Sequence, residues 1–151
     1  MSVAIAFHVL AAVIWVGGLW FAAMVMRPDA QGLDAATRLT LWHQMLGRFF
    51  PFAWLSSAVL FVSGFAMVFV GYGGLAGIGR YIRLMMEVGL LAVAAFACLY
   101  FLPWRAFGEA VKAANWPVAA KNIGRIRLLI VVNLILGTAA VVVGASGRYY
   151  G

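Results

Sequence analysis

Hydrophobic residues make up 66% of this 151-residue chain and charged residues only 10%, with a mean hydropathy of +1.03. A small water-soluble fold cannot hide that much apolar surface, because most of a small domain's surface must face water. Eleven Lys/Arg against four Asp/Glu leave a net charge of +7. The basic residues fall in short connections beside apolar stretches, where they set orientation and meet anionic head groups, so nucleic acid is not an expected partner.

In chain order, four stretches are apolar enough to cross a bilayer: about 3–26, 49–70, 84–103 and 128–145. Each approaches the roughly 20 residues a helix needs to span the hydrocarbon core. The expected fold is all-α: an integral membrane four-helix bundle running up-down-up-down as a single domain. The first stretch is expected to remain as a span. It lacks a basic leader region and meets Arg27-Pro28 where a small-residue cleavage site would stand. Counting Lys and Arg puts eight on the side of the first and third connections, including Arg27, Arg38, Arg48 and Arg127. Arg80, Arg83 and Arg148 lie on the other side. The positive-inside rule then predicts that both termini lie on the outer, periplasmic side of an inner membrane.

After the first span, Leu39, Trp42, Met45, Leu46 and Phe49 share one helical arc, which predicts a helix along the inner interface leading into the second span. Asp34 and Arg38 stand i,i+4 with the acid first, the order that favours a pair. The outer connection, residues 71–79, is glycine-rich but lacks the Lys-Ser/Thr of a phosphate loop and follows no strand, so a tight turn is predicted there. The second inner connection breaks near Asn115-Trp116-Pro117. In the fourth span, Asn133, Gly137, Ala140 and Gly144 share one face, as do Gly17, Gly18 and Ala22 in the first. Ser56, Ser57 and Gly64 supply small residues in the second. Such residues let helices approach closely, and a lone amide can bond across the contact. The single cysteine, Cys98, lies inside the third span.

Polar groups inside a membrane are costly, which makes each a functional candidate. His8 ranks first, about 7–8 Å from the outer end of its span at 1.5 Å per residue. Trp15 and Gly18 share its face, so the ring is expected to point into the bundle. A neutral imidazole binds copper, zinc or haem iron; the other reading is a histidine hydrogen-bonded to a neighbouring helix. Glu87 stands just inside the third span, where Arg83 one turn earlier offers it a partner. Met67 and Met86 lie at similar depth, and thioether with imidazole suits Cu(I), although methionine is also ordinary packing. Met85 and Glu87 point about 160° apart and cannot face one ion. His43 falls at the inner interface, roughly 25 Å or more from His8, so the pair cannot clamp one iron within a monomer. Each histidine alone remains a candidate haem ligand. No Ser-His-Asp set, carboxylate pair or zinc-type spacing supports hydrolysis.

The run His8-Val-Leu-Ala-Ala-Val-Ile-Trp15-Val-Gly17-Gly18-Leu-Trp-Phe21 resembles the first helix of the copper-resistance D (CopD) membrane family. Arg83-Leu84-Met85-Met86-Glu87-Val-Gly89-Leu90 resembles the third helix of its small stand-alone members. Ile126-Arg127 through Asn133 and Gly137, with Gly147-Arg148-Tyr149, resembles their last segment. This implies a bacterial inner-membrane protein that handles copper ions. The same His-x6-Trp-x2-Gly pattern resembles the HemJ family of haem-binding protoporphyrinogen oxidases, which implies haem b on His8. Arg27-Pro28-Asp29 stands where that family carries an Arg-Leu-Phe-Val-Tyr-His run. Copper handling is therefore the leading expectation, with a haem-b oxidoreductase second and a structural or assembly subunit third. The bilayer is the expected partner, with a homo-oligomer or partner membrane subunits beside it.

Overall fold

The computed structural model describes residues 1–149; Tyr150, Gly151 and the side chain of Arg148, which the charge count assigns to the outer side, lie outside the described residues. Four long helices make up the fold: α1 (Ser2–Gly32), α2 (Ala35–Gly71), α3 (Arg80–Lys112) and α4 (Trp116–Ser146). All are long and apolar enough to cross a membrane. At 31 to 37 residues they run about 46–56 Å, well beyond the ~30 Å hydrocarbon core. The surplus is the predicted inner-end extension of each helix. The segment 33–49 does not lie along the interface as expected. It continues straight into the second span, because Leu39, Trp42 and Leu46 find a core to enter.

Local chemistry sets the boundaries. Asp34 caps α2, its carboxylate accepting from the Thr37 backbone N–H at 3.0 Å. Arg38 donates to the Leu33 carbonyl at 3.2 Å and does not pair with Asp34, whose acceptor is occupied by the cap. In the connection between α2 and α3, Gly73 and Gly74 hold φ of +72° and +109°, the backbone that a side chain resists. The turn after α3 is closed by Ala114 at φ +51° and by Asn115, which caps α4 by accepting from Val118 N–H at 3.3 Å. Pro51 and Pro103 lie within helices. The turns around Pro103 widen to π-helical geometry over Tyr100–Trp104, which absorbs the lost N–H donor.

Helix α1 packs on α2, α3 on α4, and the two hairpins meet where α1 contacts α4. In the half away from the N-terminus, rings join α2 to α3. Phe50 meets Phe96, Tyr100 and Trp104 edge-on at 5.6, 5.8 and 4.7 Å, and Trp54 meets Phe96 at 5.1 Å. Trp15 brings α1 to the same ring at 5.4 Å. The half that carries the N-terminus holds a smaller cluster of Val68, Ile78 and Ile82. No residue from Ser2 to Leu10 is buried, nor any from Ile135 to Ser146.

Several of the small residues act as predicted, but Gly17 does not: it is exposed, and a Cβ there would meet nothing within 4 Å. A Cβ on Gly18 would meet the Phe49 ring, one on Gly137 would stand 2.9 Å from Val16, and one on Gly144 2.7 Å from Met85 Sδ. Asn133 departs from expectation. Its Nδ2 donates to Leu129 of its own helix at 3.0 Å, and its fully buried Oδ1 has no partner.

Candidate functional site

His8 lies on the α1 face that carries the buried Ala11, Trp15 and Leu19, and its half-buried ring turns toward α2. Its Nδ1 is 2.9 Å from the hydroxyl of Ser63. That hydroxyl also lies 2.5 Å from the Val59 carbonyl, one turn back. A serine has one proton, and the carbonyl can only accept, so the hydroxyl donates to Val59 and its oxygen accepts from His8. Protonation at Nδ1 satisfies both contacts, and the ring also has the Leu60 backbone carbonyl of α2 as a hydrogen-bond partner. Gly64 admits the ring: a Cβ there would sit 3.4 Å from His8 Cε1.

Met67 lies one turn beyond Ser63 on the same face of α2 and is half-buried. Met86 packs beside Val68, Ile78 and Ile82. The contacts of Trp54 with Phe96, and of Val68 with the Ile82 cluster, set the antiparallel register of α2 and α3. That register brings residue 86 level with Ser63. Glu87 is exposed, about 140° round α3 from Ile82. It makes no ion pair with Arg83; among the described residues the single salt bridge joins Lys112 to Glu109 at 3.1 Å. Among the same residues no three His, Cys, Asp or Glu side chains converge.

His43 sits at the other end. Its ring stacks on Trp104 at 5.1 Å and 19°, and meets Phe107 edge-on at 5.9 Å. Gly108 makes room for it, since a Cβ there would lie 3.2 Å from Nε2. His43 precedes Ser63 by twenty residues within α2, about 30 Å along the helix. The two histidines therefore occupy separate ends, as expected.

Ser63 was not visible as a site residue from the pattern of apolar spans, in which serine reads as a small packing residue. A signal existed. Folding the chain about the Leu33-Asp34 turn sets residue 8 opposite residue 59, one turn from Ser63.

A family model described as copper resistance protein D (CopD) matches residues 43–146, which takes in all of α3 and α4 and most of α2, and begins after the helix that carries His8. No curated protein and no solved structure matches the chain. With four membrane-length helices and a family match over more than half of its length, this multi-pass membrane protein belongs to the CopD family.

Proposed function

We propose that this protein holds Cu(I) and passes it on at the periplasmic end of a bundle in the inner membrane, with His8 Nε2 as the nitrogen donor. The observation that supports this reading is the Ser63 hydroxyl, which bonds back to Val59 and lies 2.9 Å from His8 Nδ1, an arrangement that favours protonation at Nδ1 and a metal at Nε2. A metal-bound histidine ordinarily has its other N–H held in this way. The thioethers of Met86 and Met67 complete the donor set. Cu(I) is soft and favours sulfur and imidazole, and methionine's three rotatable bonds let its sulfur swing toward an ion. Glu87 is left outside this set because it is exposed on the far face of α3. Copper is the cargo here, and the step is ligand exchange without covalent chemistry. Membership of a copper-resistance family supports the choice of metal.

The test is an anaerobic Cu(I) titration of the full chain in detergent, with its visible spectrum recorded alongside. Uptake of one Cu(I) that is lost in His8→Ala supports the proposal. A Soret band that disappears in the same variant would replace copper with haem b. A protein that takes up neither would stand as a structural subunit.

A further inference from the structure

At the end of the molecule away from His8, three arginines gather, none of them in an ion pair among the described residues. Arg27 stands at the inner end of α1, Arg38 in the first turn of α2 and Arg127 in α4. The Arg127 guanidinium lies 5.2 Å over the Trp42 ring. Arg27 and Arg38 are close enough for their charges to act on it. Arg38 gives one N–H to Leu33, and none of the three joins the single salt bridge found among the described residues.

Two donors at this place lack an acceptor. Arg127 Nε and Trp42 Nε1 are both buried without a partner, and Trp42 is only 1% exposed. Both residues line a narrow cleft of about 10 Å³ with Ala22, Arg27 and Val131, room for one water-sized atom. A buried N–H without an acceptor is costly, and so are like charges brought together. One anionic oxygen seated in the cleft relieves both.

The surroundings indicate what carries that oxygen. Phe21 and Met24 on α1 and Leu128 on α4 are exposed apolar side chains close to the arginines along these helices, a surface suited to acyl chains. Guanidinium matches phosphate in shape and charge, and basic pockets between membrane helices recognise anionic head groups. We propose that Arg27, Arg127 and Trp42 hold the phosphate of an anionic phospholipid, with Arg38 adding long-range attraction. The α1–α4 contact at this end is then a specific lipid site.

The test uses the full chain in a neutral detergent, titrated with phosphatidylglycerol, phosphatidylcholine or inorganic phosphate and read by native mass spectrometry. One phosphatidylglycerol is expected to bind, with the other two at least about tenfold weaker. Arg27→Gln and Arg127→Gln should each weaken it by about tenfold, the worth of one charge-assisted contact. Arg80→Gln, at the opposite end, should leave it unchanged. Should Arg127→Gln fail to fold, the exposed Arg27 provides the decisive variant. Equal binding of phosphatidylglycerol to wild type and Arg27→Gln overturns the proposal, as does equal binding of phosphatidylcholine. Inorganic phosphate binding as tightly as phosphatidylglycerol also overturns it, by making the ligand a soluble anion.

Discussion

Replacing Ser63 with alanine removes one oxygen atom and tests how the copper proposal depends on ring orientation. In the native protein the His8 Nδ1–H points at that oxygen, 2.9 Å away. Without it the ring keeps only the Leu60 backbone carbonyl as a partner on α2, and its orientation is less tightly held. Loss of a hydrogen bond that orients a metal-binding histidine typically lowers metal affinity about 10–100-fold, or about 1.4–2.8 kcal/mol. Folding should change far less. The Ser63 hydroxyl bonds back to Val59 within its own helix, and such bonds add little to helix stability. The assay is competition for Cu(I) against a chromogenic chelator, with tryptophan fluorescence as the control for folding. Ser63→Ala should bind about 10–100-fold more weakly, Ser63→Thr close to wild type, and His8→Ala not measurably. A Ser63→Ala variant that matches wild type while His8→Ala fails would refute the orientation argument.

Three further outcomes test the fold. Phe50→Ala deletes three edge-to-face contacts, with Phe96, Tyr100 and Trp104; at about 0.5–1.5 kcal/mol each they predict a loss of about 2–4 kcal/mol. Denaturant unfolding in mixed micelles reads this, and a loss below about 1 kcal/mol contradicts the central role of that ring. Ala114→Gly relieves a left-handed backbone at φ +51° and should stabilise the α3–α4 turn by about 0.5–1 kcal/mol; a less stable glycine variant counts against it. The Thr37 hydroxyl and backbone N–H hold the Asp34 carboxyl below its usual range. Its folded pKa is depressed, so its contribution is present above the unfolded value and disappears as pH falls below about 4. The thermal midpoint should decline in that window for wild type, and the part due to this cap should be absent in Asp34→Asn. Identical pH profiles would remove the cap from the account.

The four spans were legible because membrane-length apolar runs leave few alternatives, and the glycines at 73 and 74 announced their turn by composition alone. Charge pairs were less legible. The i,i+4 spacing of Asp34 with Arg38 favoured an ion pair, but free N–H groups at a helix start compete for the same carboxylate and win. Arg83 and Glu87 show the weakness of exposed pairs, which are typically worth about 0–1 kcal/mol. His8 was visible as a polar group in an apolar helix. Its partner was hidden, because Ser63 lies 55 residues away in sequence and only the register of α1 against α2 brings them together. The Arg27–Trp42–Arg127 grouping was hidden for the same reason. Each residue alone is ordinary at a membrane boundary, and three different helices must meet before two donors are left without acceptors.

The uneven distribution of the core sets where the molecule yields. Interlocked rings fasten one end of the two hairpins like the spring of a peg, while the jaws beside His8 are held by little more than Val68, Ile78 and Ile82. Breathing is therefore cheapest at the jaws. Opening there parts the two hairpins beside His8, while the sprung end stays shut.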